Sequence, residues 1–120
     1  SGDFVGMTRF PSNKKNSEFQ RIYKNGTSYA NKLLVMSVME NGKCVNNIGI
    51  SVSKKVGNSI VRHHITRLIR EIFRLNNHKI RTGLNIVAVA RVAARESDYK
   101  HLESAYMHLC GLHHILKESK

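Results

Sequence analysis

Between Ser59 and Asn76 the apolar residues Val61, Ile65, Leu68, Ile69 and Ile72 recur about every three to four positions, the spacing of one buried stripe on an amphipathic helix. Opposite them, at the same spacing, stand His63, Arg67, Arg70 and Arg74, with Arg62 and Thr66 on the flank and Glu71 off the ladder. The pattern predicts a long helix that lays an oily face on a core and turns a cationic face outward. Upstream, Ser17 to Lys24 followed by Asn25-Gly26 predicts a short helix stopped by glycine. Lys32 to Met39 is rich in long and branched apolar residues and ends in the turn signal Glu40-Asn41-Gly42-Lys43. Asn47 to Ser53 alternates, with Ile48, Ile50 and Val52 on one side and Gly49, Ser51 and Ser53 on the other, so the two segments predict a β-hairpin. The bare side of the second strand is open to two readings, a solvent face or the floor of a groove that a ligand approaches closely. Asn85 to Arg91 predicts a third long strand. Asp98 to Leu116 predicts a closing helix, with Tyr99, Leu102, Tyr106, Leu109, Leu112 and Leu116 on its apolar side and Ser97 or Asp98 as N-cap.

The order α-β-β-α-β-α gives a mixed α+β fold with helices packed on the apolar face of a small sheet. At 120 residues and 41% hydrophobic the chain can bury one modest core. Residues 8–120 are therefore expected to form a single domain, and residues 1–7 to be a tag remnant followed by a start methionine. Charge then narrows the function. Twenty Lys and Arg against eight Asp and Glu leave a formal net charge of +12, an imbalance that points to nucleic acid more than to an ordinary solvated surface. No apolar run approaches the roughly 20 residues of a membrane span, so no membrane partner and a cytoplasmic location are expected. Cys44 and Cys110 form no Cys-x-x-Cys pair, so they predict reduced thiols and neither a disulfide framework nor a zinc knuckle. The carboxylates are few and scattered, and His63-His64 and His113-His114 are adjacent pairs, which on a helix point about 100° apart and chelate one ion poorly. No protein-borne catalytic metal is expected.

The run Lys54-Lys55-Val56-Gly57-Asn58-Ser59-Ile60-Val61-Arg62-His63-His64-Ile65-Thr66-Arg67 resembles the signature of the bacterial ribonuclease P protein subunit family. Phe19-Gln20-Arg21-Ile22-Tyr23-Lys24-Asn25-Gly26, the Gly49 to Lys55 strand and the Ile86 to Arg91 strand resemble further family motifs, in order and at the family's usual spacing. One departure stands out: where the family usually carries Arg-Asn-Arg, a variable residue and Lys-Arg, this chain has Arg62-His63-His64-Ile65-Thr66-Arg67. Two fixed cations are replaced by His64 and Thr66, and histidine is mostly neutral at pH 7.

The resemblance implies a small two-layer α/β sandwich like the second domain of ribosomal protein S5, with a left-handed βαβ crossover. It implies an accessory subunit that helps a catalytic RNA, ribonuclease P RNA, cut the 5′ leader from precursor tRNA. Lys54, Lys55, Asn58, Arg62, His63, His64, Arg67, Arg70 and Arg74 would then face the catalytic RNA. Phe19, Tyr23, Lys24, Ser51 and Ser53 would line a groove for the single-stranded leader, where aromatic rings stack on bases beside cations that track the backbone. Spacing alone favours ordinary core packing for Phe19 and Tyr23, and only the resemblance assigns them to the groove. No residue of the chain would be catalytic, Mg²⁺ would enter through the RNA, and the protein would act as a monomer in a 1:1 complex. The competing readings are a ribosomal-type or general RNA-binding domain without a cleavage role, and a stand-alone metal-dependent nuclease.

Overall fold

The segment Leu84–Ala90 (LNIVAVA) is apolar on both of its sides, and it takes the centre of the sheet. The computed structural model describes residues 7–10 and 12–117. In chain order these form β1 (Met7–Arg9), α1 (Lys15–Asn25), β2 (Thr27–Ala30), β3 (Leu34–Glu40), β4 (Asn46–Val52), α2 (Ser59–Asn76), β5 (Leu84–Ala90) and α3 (Tyr99–Leu112). The sheet runs β1-β4-β5-β3-β2, with β1 and β5 parallel to β4, β3 antiparallel to β5, and β2 antiparallel to β3. The fold is mixed α+β, as expected, and the β4-α2-β5 unit joins two neighbouring parallel strands.

The expected hairpin between β3 and β4 does not form. A strand that is apolar on both faces gains most when it is paired on both edges and covered above and below, and β5 therefore inserts between the two. The turn after β3 spans the start of β5 instead. Asn41 N donates to Gly83 O at 2.9 Å, and the Asn41 side chain donates to Val45 O at 3.2 Å and Asn85 Oδ1 at 3.0 Å.

Alternation along the strands splits the core in two. Met36, Val38, Ile48, Ile86, Ala88 and Ala90 join the larger cluster, which takes in Ile65, Ile69, Ile72 and Phe73 of α2 and Leu102, Tyr106 and Leu109 of α3. Val87 packs in a second cluster with Phe19 and Ile22 of α1, flanked by Phe10, Met39 and Val89. Helices thus cover both faces, and α1 adds a partial third layer to the two-layer arrangement expected. On α2, Val61 and Leu68 sit at the margin of the predicted stripe, half-buried, while Phe73 completes it.

Two short strands escape the sequence pattern. All four residues of β2 are exposed, so no apolar alternation marks it. In β1, Met7 is 3% exposed and packs in the main core, so it belongs to the domain and not to a leading remnant; residues 1–6 lie outside the described part. The closing helix is also shorter than predicted. It is capped by Asp98, whose Oδ1 accepts from His101 N at 3.0 Å, and it stops at Leu112. His114 then adopts φ 56°, Ile115 returns to the core and Leu116 bridges to Ile80, leaving Leu112 and Leu116 exposed. At the other end of the chain, Gly26 ends α1 in extended backbone at φ −90°, not in a left-handed turn. Its need for glycine is space, because a Cβ there would lie 2.5 Å from Val38 O.

Candidate nucleic-acid interface

The side of β4 that carries Gly49 faces α1, and the absence of a side chain at Gly49 is what lets α1 settle there. A Cβ at that position would lie 2.3 Å from the Phe19 ring. Phe19 is therefore 7% exposed and wedged onto the sheet, with Phe10 edge-on at 5.7 Å and Lys15 Nζ 5.6 Å from its centroid. Tyr23, one turn on, makes an edge contact with Phe19 at 6.4 Å and keeps 37% of its surface open. Of the two proposed stacking rings, then, Tyr23 offers a free face, and Phe19 serves mainly as a core residue that presents an edge.

A cleft of about 180 Å³ opens beside Phe19, with Arg9, Phe10, Lys15, Gly49, Thr66 and Arg70 around it. It joins four elements: β1 and its end supply Arg9 and Phe10, α1 supplies Lys15 and Phe19, β4 supplies Gly49, and α2 supplies Thr66 and Arg70. Burial and the neighbouring Arg9 guanidinium pull Arg70 below the ordinary arginine range. Arg70 is half-buried and Arg9 exposed, so the cleft presents positive charge from two elements, to which an anion would be drawn.

The cationic face of α2 is consequently not one uniform ladder. His63, His64 and Arg67 are exposed. Arg70 turns toward the cleft. Arg74 is engaged by Glu71, which accepts from both Nε and Nη2, and this bonding holds the Glu71 carboxyl below its usual range. Arg62 is half-buried and donates from Nε to Gly57 O at 3.3 Å, and Thr66 Oγ1 donates back to Arg62 O at 2.8 Å. Asn58 caps the helix, its Oδ1 accepting from Val61 N at 3.0 Å, so its side chain is committed to the fold. Lys54 and Lys55 project from the turn before it, anchored by buried Val56.

The groove residues separate as well. Ser53 and Lys55 share a second cavity of about 470 Å³ with Lys32 and Arg91, at the far ends of β4 and β5. There Arg91 Nη1 donates to Asn31 O at 2.8 Å. Ser51 is half-buried on the strand between the two cavities, and Lys24 is exposed near the end of α1. Arg9, Phe10, Lys15, Lys32 and Arg91 were missed in the sequence. Arg9-Phe10 falls just ahead of the first recognised helix, and only the pairing of β1 with β4 brings it to the cleft. Lys32 and Arg91 mark strand ends, and only the interposed β5 makes them neighbours.

A family model described as Ribonuclease P matches residues 7–113. A Ribonuclease P protein component of Lachnoclostridium phytofermentans is 52% identical over 107 residues, covering 89% of this chain and 92% of the relative. Another, of Natranaerobius thermophilus, is 38% identical over 113 residues, covering 94% and 98%. Among solved structures, a Staphylococcus aureus RNase P protein mutant with defective mRNA degradation activity is similar at TM-score 0.79 and 35% identity, over 89% of this chain and 88% of that one. The RNase P protein of Thermotoga maritima is similar at TM-score 0.73 and 30% identity, over 78% and 89%. The family match runs from the first residue of β1 past the end of α3, taking in every wall of the cleft, and the chain belongs to the ribonuclease P protein family.

Proposed function

We propose that the chain is the protein partner of a catalytic ribonuclease P RNA and assists it in removing the 5′ leader from precursor tRNA. The observation that carries this reading is the cleft in which the Arg9 and Arg70 guanidiniums and Lys15 stand beside Phe10 and Phe19. Single-stranded RNA is held by such a combination of rings and backbone-tracking cations. The exposed residues of α2, His63, His64 and Arg67, together with Lys54 and Lys55, face the catalytic RNA. The leader enters the cleft, passes Tyr23 and Ser51, and reaches the second basic cavity at Ser53 and Lys55. Arg70 serves the leader more than the catalytic RNA, because it is half-buried in the cleft wall and turned from the exposed face that carries His63, His64 and Arg67. Hydrolysis belongs to the RNA, whose Mg²⁺ ions would polarise the scissile phosphate and activate water, and the protein contributes position and charge in a 1:1 complex.

The test is cleavage of a 5′-extended precursor tRNA at low magnesium by a bacterial ribonuclease P RNA alone, by this protein alone and by the two together. Cutting at the mature 5′ end that requires both is the expected result. Cutting by the protein alone would overturn the accessory role, and no stimulation of the RNA would leave a general RNA-binding domain.

A further inference from the structure

Phe10 has a second side. Beyond it, at the start of β4 and β5, lies another cavity of about 310 Å³, rimmed by Lys14, Arg21 and Lys43 and floored by Asn47 and Asn85. Asn85 is 4% exposed. Its Oδ1 accepts from Asn41 Nδ2 at 3.0 Å and from Asn47 Nδ2 at 2.9 Å, which occupies both acceptor positions of that oxygen. Its Nδ2 donates to no group among the described residues. A nearly buried amide donor is thus held in place by its own oxygen, left without a partner, and set in the wall of a cavity whose rim is cationic. The two carboxylates at this rim are already engaged, Glu18 with Arg21 at 3.5 Å and Glu40 with Arg81 at 3.2 Å.

We propose, resting on the leader assignment above, that this cavity receives one unpaired nucleobase of the strand in the cleft and selects a keto base. The base lies against Phe10 with the edge that bears position 4 or 6 turned inward, and Asn85 Nδ2 donates to the carbonyl oxygen there. Uracil and guanine present such an oxygen at position 4 or 6, where cytosine and adenine present an amino group. An amino group would set donor against donor at a site that cannot rotate its amide, because Asn41 and Asn47 both hold the oxygen. Lys14 and Lys43 would track the phosphates on either side, Arg21 being paired with Glu18.

The test uses the holoenzyme reconstituted with a ribonuclease P RNA and measures binding of precursor tRNAs with all-uridine or all-cytidine leaders, and of mature tRNA. The uridine leader is expected to bind about ten-fold more tightly than the cytidine leader. Asn85→Asp keeps an oxygen for Asn41 and Asn47 and replaces the donor with an acceptor, so it should bring that ratio to one or below while mature tRNA binding is unchanged. Equal binding of the two precursors, both tighter than mature tRNA, would overturn the pocket alone, as would a uridine preference that survives Asn85→Asp. Precursors that bind no better than mature tRNA would overturn the leader assignment and the pocket with it. Should Asn85→Asp fail to fold, 4-thiouridine placed at successive leader positions of the wild-type complex must crosslink from one position to the segment around Phe10 or Asn85, and a scan without such a link would count against the pocket.

Discussion

At the scale of single residues, Tyr106 shows how a side chain can be central to the core and yet carry a superfluous atom. It is 1% exposed and packs edge-on against Phe73 at 5.2 Å, while its hydroxyl meets no oxygen or nitrogen partner among the described residues and has only the weakly bonding Cys110 thiol beside it. Burial pushes its phenol well above the ordinary tyrosine range, and burial likewise raises the adjacent Cys110 thiol to about 11, so both stay protonated at neutral pH. A buried hydroxyl left unsatisfied costs about 1–3 kcal/mol, and a thiol, a weak hydrogen-bonding group, offsets little of it. Tyr106→Phe should therefore leave thermal stability unchanged or raise it, and a loss of several degrees in a melting experiment would show that the hydroxyl has a partner in solution. The apolar spacing of α3 placed Tyr106 in the core correctly. It could not show the empty hydroxyl, which depends on what the sheet and α2 bring to it.

At the scale of elements, glycine positions decide how closely the pieces approach. Gly49 is the point where α1 meets the sheet, and any side chain there must push Phe19 outward. Overpacking of this kind costs about 1–3 kcal/mol. Gly49→Ala should lower stability by that order and, because Phe19 borders the cleft, weaken leader-bearing RNA more than mature tRNA; equal effects on both ligands would separate the glycine from the cleft. Most elements were legible because burial on one side leaves a period in the sequence, as in α2 and β4. The pairing of β3 with β4 was misread because a turn signal says where a chain reverses and not which strand it lies beside. Only the two-sided apolar character of β5 hinted that it would occupy the middle. β2, exposed along its length, left no periodic trace at all.

At the scale of the molecule, a formal charge of +12 is distributed unequally between residues that are available and residues already engaged. Arg67 is exposed, whereas Arg74 is bonded to Glu71 on its own helix. Each phosphate neutralised contributes about 0.7–0.9 to the slope of log affinity against log salt. Arg67→Ala should reduce that slope for catalytic-RNA binding by roughly this amount, and Arg74→Ala by less, since Glu71 already offsets its charge. Equal slopes for the two variants would mean that the Glu71 pair opens on binding. The spacing of cations along α2 was visible in the sequence, but which of them are spoken for is a matter of neighbours one turn away and across the cleft.

β1 is only three residues long and is held to the sheet along one edge, by β4. It nevertheless fixes both Arg9 and Phe10, and so a wall of two separate cavities. Release of this edge would draw Met7 out of the main core and dismantle the proposed grip on RNA, while β4, β5 and β3 stayed paired. Affinity should then follow a local opening equilibrium and be largely indifferent to global unfolding. A bound strand would in turn act as a latch, slowing hydrogen exchange of the β1 amides far more than that of β5.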